Sequence, residues 1–167
     1  MKVLGYNAQA AIRHFAENLI SRGVGRYQNH SSYRNGHAFL RPIDQGIPGL
    51  YVIYKRDFYM TFKHEFSSFC EKYPDLAGEG ESINSDALDR ALRFGAQYIV
   101  FIHPGEVLVA YPMLIKKFCE SHGLIRGQKR LNMYLAVGGD YEEKSEVTYS
   151  FPKKLLRPFE EEFGGRK

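Results

Sequence analysis

The 167-residue chain has no tryptophan and only two cysteines, and these shortages narrow its chemistry at once. Cys70 and Cys119 stand apart, in a CE pair and an FCE triplet, without the CxxC spacing of a zinc site. A thiolate metal centre and a disulfide scaffold are therefore excluded, and a reducing, cytoplasmic setting is expected. No run reaches the roughly 18 apolar residues of a membrane span. The opening MKVLGYNAQAAIRHF lacks the basic segment and apolar run of a secretion signal. A soluble protein with no membrane partner follows. Internal repeats, a GxSxG nucleophile elbow and a GxxxxGK[ST] phosphate loop are also missing. GGDYEEKSE at 138–146 has glycine and acid but not the spacing of a calcium loop, and reads as a turn.

What is present is an ordinary core. Hydrophobic residues make up 44% of the chain, with 12 Tyr and 12 Phe, enough for one domain spanning 1–167. The net charge is +4, and basic residues recur at Arg22, Arg26, Arg56, Lys63, Arg126, Lys129, Arg130, Lys153, Lys154 and Arg157. Such a balance suits a nucleic-acid partner, because cations that displace counterions from phosphates gain affinity without reading sequence. A solvated basic surface has the same composition.

Apolar residues at helical spacing over 8–20, from Ala8 to Ile20, predict an amphipathic helix that stops near Gly23. Residues 29–49, rich in Asn, Ser, Gly and Pro, read as a long loop. LYVIYK (50–55) and FYMTFKHEF (58–66) read as two strands joined through Arg56 and Asp57 in a hairpin. After a Gly/Glu-rich interval at 77–82, Asn84 or Ser85 caps a helix that Gly95 ends. QYIVFI (97–102) has the continuous apolar run of a strand buried on both faces, and His103-Pro104-Gly105 turns it into EVLVAY (106–111). Pro112 opens a helix that runs to Gly123. LNMYLAV (131–137) and EVTYSF (146–151) read as strands, with FPKKLLRPFEEEF as a tail. This order predicts an α/β domain with a mixed sheet between helices.

Metal-dependent phosphodiester cleavage gathers Asp and Glu around a divalent cation, usually with a lysine that steadies developing charge. The segment GIPGLYVIYKRDFYMTFKHE has a layout of that kind, a loop leading into a hairpin. Together with Gly5 to Gln9, the HSS at 30–32, Gly46-Ile47-Pro48-Gly49-Leu50 and Thr61-Phe62-Lys63, it resembles the archaeal Holliday junction resolvases and the related virus-type replication-repair nucleases. The resemblance covers roughly residues 5–103 and leaves 124–167 as an extension without a reading. It implies a restriction-endonuclease-like fold, a mixed β-sheet flanked by helices, and a homodimer matched to the related arms of a four-way junction.

Carried over residue by residue, the resemblance puts Gln9 at the helix glutamate, Gly49 at the aspartate, Thr61 at the strand glutamate and Lys63 at the lysine. Only Lys63 keeps the family's residue type. The helix after Asn84 also resembles the family's SxxQ helix, with Ser82 or Ser85 and no matching glutamine. Uncharged residues at three positions remove the attraction for a hard dication. The expectation is a DNA-binding, resolvase-like protein whose nuclease activity is lost or much reduced, with no cofactor.

Lys63, Arg56, Arg26, Ser31, Ser32 and Arg34 are the candidate DNA contacts, and branched DNA is among the candidate partners. Each also has an ordinary reading, as an edge lysine or polar loop residue. The competing reading is an active, Mg-dependent endonuclease using Asp44, Asp57 and Glu65 as relocated ligands, although Asp44 and Asp57 are also typical turn residues. A third is an assembly subunit that never touches DNA. His14, His103 and His122 fall at element ends, where structural roles are usual.

Overall fold

The computed structural model describes residues 7–29, 36–56, 59–135 and 141–163, without the side chains of Asn29, 127–135 and 141–146. Helix α1 (Ala8–Ser21) starts where the Asn7 side chain accepts the Ala10 N–H, and buries Ala11, Ile12, Phe15 and Leu19 along one stripe. Strands β1 (Tyr27–Asn29), β2 (His37–Pro42) and β3 (Leu50–Tyr54) follow as an antiparallel meander. The chain then leaves this sheet through β4 (Met60–Thr61), α2 (Phe62–Glu65), α3 (Ser67–Lys72), a 3-10 turn at Pro74–Leu76, β5 (Glu79–Asn84) and α4 (Ser85–Arg93). It returns in β6 (Tyr98–His103), which lies parallel to β3, and doubles back in β7 (Glu106–Ala110). Helix α5 (Pro112–His122), the long pair β8 (Ile125–Leu135) and β9 (Tyr141–Pro152), a 3-10 turn at Lys153–Leu155, β10 (Arg157–Pro158) and α6 (Phe159–Phe163) complete the order.

The six-stranded sheet runs β1-β2-β3-β6-β7-β10, and a four-stranded sheet runs β4-β5-β9-β8. One face of the larger sheet presents Ala38, Leu40, Val52, Val100 and Val109 to Phe15 and Leu19 of α1 and Phe159 of α6. The other presents Phe39, Tyr51, Phe101 and Leu108 to α4, α5 and the smaller sheet, through Ala91, Ile115, Ile83 and Phe151. β3 and β6 are thus buried on both sides, as their unbroken apolar runs require. The architecture is mixed α/β, a mixed sheet flanked by helices. No described helix is long and apolar enough to cross a membrane.

Five segments depart from expectation, one of them 138–146, expected as a turn, of which 141–146 belong to β9 and 138–140 lie outside the described residues. β3 pairs with β2 and β6, so 50–55 and 58–66 do not form a hairpin. The second run yields only the two-residue β4, because Phe62, Phe66 and Phe69 recur at helical spacing and pack together with Cys70 on the turns of α2 and α3. Within the predicted loop at 29–49 lies β2, whose burial alternates too little to reveal a period because both its faces are covered. The Gly/Glu interval at 77–82 holds β5, a strand made by its partners β4 and β9 rather than by propensity. The predicted tail contributes Phe159 to the core beneath α1, where it meets Phe15 edge to face at 5.5 Å. The helices at 8–21, 85–93 and 112–122, and strands at 50–54, 98–103 and 106–110, fall where the sequence puts them.

Candidate functional site

Where β3 and β6 end side by side, the apolar sheet gives way to charge. Lys55 follows the last residue of β3 and its N–H bonds Ile102 O, which sets its side chain beside that of His103, the last residue of β6. β5 crosses above them and supplies Glu81 and Ser82. The Lys55 ammonium lies 3.2 Å from one Glu81 carboxylate oxygen and donates to Ser82 O at 2.7 Å. The same carboxylate oxygen accepts the Ser82 N–H at 2.9 Å, and the other oxygen is bonded to His103 Nε2. Glu81 and His103 are each 4% exposed. Burial pushes the Glu81 carboxyl up, but the His103 hydrogen bond, the Lys55 and His103 charges and the Ser82 N–H outweigh it and hold the group below the usual carboxylate range.

Around this centre the Tyr59 ring lies 4.1 Å from the His103 ring, and the Lys153 ammonium stands 3.9 Å from the Tyr59 ring centre. Lys153 also pairs with Glu106 at 3.0 Å. A small cavity of about 60 Å³ is lined by Lys55, Met60, Gly80, Glu81, Ser82, His103 and the exposed Arg126. On the β2 side of the same sheet end, His37 sits within 3.2 Å of the Tyr51 hydroxyl. Burial, with the charges of Lys55 and Arg90, pushes its imidazole down to about 4. The first turn of α1 stands at this end as well, since a methyl on Gly36 would lie 3.7 Å from Ala8 Cβ and 3.5 Å from Tyr54 O.

The residues expected from sequence divide between places. Gln9 is exposed on the first turn of α1, on the other face of the sheet from Glu81, and Arg56 is exposed directly after Lys55. Thr61 precedes α2, and Lys63 and Glu65 are exposed on α2 itself. Gly49 lies at the opposite end of β3, six residues and about 20 Å from Lys55 at roughly 3.3 Å per residue. Gln9, Gly49, Thr61 and Lys63 therefore do not meet in one pocket. Gly49 has a packing reason of its own, because a Cβ there would press on the Phe39 ring at 3.3 Å. Asp44 and Arg26 are also at that far end, where they pair with each other at 2.7 Å and the Arg26 N–H bonds the same carboxylate. That pairing holds the Asp44 carboxyl below its ordinary range, first through the Arg26 side-chain hydrogen bond. Ser31, Ser32, Arg34 and Asp57 lie outside the described residues.

Asp44 in the turn after β2 and Glu65 on α2 belong to different sheets' surroundings and do not converge. No three described His, Cys, Asp or Glu side chains come together as a cation site. Among the described residues Glu81 is the one carboxylate lining the small cavity, and its oxygens already serve Lys55, His103 and the Ser82 N–H. A hard dication, which needs several free oxygen ligands, does not fit that donor set. Lys55 and Arg126 against one carboxylate leave the cavity with an excess of positive charge, which suits an anion such as a phosphodiester.

Sequence reasoning missed Lys55 and Glu81 and left His103 among structural histidines. Lys55 and His103 carried one usable signal: each is the first lysine, arginine, histidine or carboxylate after an unbroken run of aliphatic and aromatic strand residues. Glu81 carried none, since its strand exists only through its neighbours. Comparison of the chain with family models, curated proteins and solved structures gives no match.

Proposed function

We propose that this chain is a DNA-binding domain of restriction-endonuclease-like arrangement, related in layout to the Holliday junction resolvases, with metal-dependent cleavage lost or much reduced. The observation that carries the reading is the convergence at one sheet end of the first turn of α1, the start of β2 and the end of β3, with Lys55 as the cation among them. The order of elements supports it: a helix, three antiparallel strands, a helix-bearing crossover and a parallel fourth strand, with β1, β2, β3, β6 and β7 adjacent in chain order. The resemblance puts its strand glutamate and lysine at Thr61 and Lys63, whereas the hairpin that forms is β2 with β3 and leads directly into Lys55. Fold analogy alone does not establish function, so the site's own charge balance has to agree. It does: a single committed carboxylate with Lys55 and Arg126 favours holding a phosphate over holding a dication.

In this reading DNA lies across the Lys55 end, where the exposed Arg56, Lys63 and Arg126 contribute phosphate contacts. Branched DNA and a homodimer belong to the proposal through the resemblance. The test is a titration of linear and four-way-junction DNA over a range of salt, with and without Mg²⁺ or Mn²⁺. Wild type is expected to bind with a steep salt dependence and to leave both DNAs intact. Arg126→Ala, or Arg56→Ala with Lys63→Ala, should weaken binding and reduce the salt slope by about one for each phosphate no longer neutralised. No binding at low salt would favour the assembly-subunit reading. Metal-dependent cleavage abolished by Glu65→Ala or Asp44→Ala would establish the active nuclease instead.

A further inference from the structure

The small cavity at the Lys55 end has a shape and a donor balance that a passing duplex does not use. Among the residues lining it, Gly80, Glu81 and His103 are buried, Lys55 keeps only 22% of its side chain accessible, and Arg126 alone is exposed. The cavity is therefore a recess with one open side, next to Arg126. At about 60 Å³ it has room for roughly four waters, the scale of one phosphate group and too little for a base or a sugar.

Its carboxylate is fully engaged, while its donors are not. One Glu81 oxygen takes the Lys55 ammonium at 3.2 Å and the Ser82 N–H at 2.9 Å, and the other is bonded to His103. The Ser82 hydroxyl lies 3.5 Å from the Lys55 ammonium, which can only donate to it. The hydroxyl's own proton thus has no acceptor among the described residues. Arg126 has no ion pair among them either, so its N–H fork is also uncommitted. Unused donors beside a charged lysine call for a group that only accepts, and an oxyanion is such a group. Glu81 does not repel it as a bare carboxylate would, because both of its oxygens are covered by donors.

The single open side decides which oxyanion fits. A phosphodiester within a strand carries the chain away in two directions, which a recess of this kind does not allow. A terminal phosphate monoester leaves by one ester bond and presents its remaining oxygens with roughly two negative charges.

We propose that this recess is a subsite for the terminal phosphate monoester of a DNA strand, held by the Ser82 hydroxyl, the Arg126 fork and the Lys55 charge. The inference rests on the DNA-binding reading and adds to it a preference for DNA that ends, or is interrupted, at the Lys55 end of the sheet.

The test measures binding of one duplex prepared with 5′-phosphate ends, with 3′-phosphate ends, or with hydroxyls at every end, at constant ionic strength. Wild type should bind at least one phosphorylated form about 10- to 150-fold more tightly than the hydroxyl form, the range for one hydrogen bond to a charged group. The form preferred tells a 5′ source from a 3′ source. Inorganic phosphate replacing chloride at equal ionic strength should shrink the difference. Ser82→Ala removes the hydroxyl but keeps the backbone bonds to Lys55 and Glu81, and should lose part of it. Ser82→Val, which also fills the recess, should bind all three forms alike. If wild type binds all three alike, or Ser82→Val keeps the difference, the subsite is overturned and the DNA-binding reading stands. If wild type binds none of them even at low salt, both fall together.

Discussion

The two ends of β3 solve the same problem in opposite ways. At its start, Arg26 and Asp44 form an ion pair in a turn, with side chains 63% and 37% exposed. At its end, Lys55, Glu81 and His103 form a pair and a hydrogen bond beneath a crossing strand, with Glu81 and His103 nearly sealed from solvent. Water already satisfies the first pair, so its loss costs little. The second has given up its hydration, so each member depends on the others. An arrangement that couples three groups in this way fixes the place where β5 of the smaller sheet meets the larger sheet. It also fixes the cations that face the small cavity.

The largest expected effect comes from breaking the buried end. Glu81→Ala leaves the Lys55 ammonium without its carboxylate and should cost about 3–5 kcal/mol, read as a drop in the urea unfolding midpoint. Glu81→Gln keeps hydrogen bonds to Ser82 and His103 and should cost less. A Glu81→Ala chain as stable as wild type would mean that the cluster is not a structural unit.

Acid should act on the same end. The His37 pKa, pushed down to about 4, lies below its unfolded value of about 6.5. The unfolded chain therefore binds more protons between those values, so the stabilisation is complete above pH ~6.5 and is lost as pH falls toward ~4. A shift of that size corresponds to about 3 kcal/mol. The Glu81 carboxyl, held below its usual range, adds a loss of the same sign at lower pH, below about 4.5. Stability measured from pH 7 to 4 should fall, and His37→Gln should flatten the upper part of that fall. An unchanged profile in the variant would remove His37 as its source.

These ends were unequally legible in the sequence. The apolar runs of β3 and β6 announce central strands, and the caps at Asn84 and Gly123 mark α4 and α5, because each rests on local periodicity or a terminal residue. The site itself depends on β5, whose Gly-Glu sequence becomes a strand only between β4 and β9. Its carboxylate was thus invisible to pattern reading. The aromatic run after Arg56 misled in the other direction. Phe and Tyr favour strands on average, yet Phe62, Phe66 and Phe69 bury one face of successive helical turns, and that packing decided the outcome. The displaced hairpin carried Thr61 and Lys63 into the resemblance, while the hairpin that forms ends at Lys55.

Gly49 offers a smaller and sharper probe. If it were a vacated aspartate position, Gly49→Asp would restore a ligand and bring measurable Mg²⁺ binding. The structure implies instead that any Cβ meets the Phe39 ring at 3.3 Å. Gly49→Ala should cost about 1 kcal/mol through overpacking, and Gly49→Asp should cost more without gaining Mg²⁺ in isothermal titration.

The smallest expected effect lies at the exposed end. Arg26→Ala removes a cation that sequence composition alone would assign to DNA. Its guanidinium donates 2.7 Å to Asp44, and the pair raises the Arg26 pKa first through that side-chain hydrogen bond. A phosphate approaching Arg26 must compete with a carboxylate already in place, so the net charge offered to DNA there is close to zero. Arg26→Ala should leave the urea midpoint and the salt slope of DNA binding unchanged, whereas Asp44→Ala, which frees the arginine, should tighten binding slightly at low salt. A larger loss of DNA affinity from Arg26→Ala than from Arg126→Ala would move the DNA-binding surface from the end of β3 to its start.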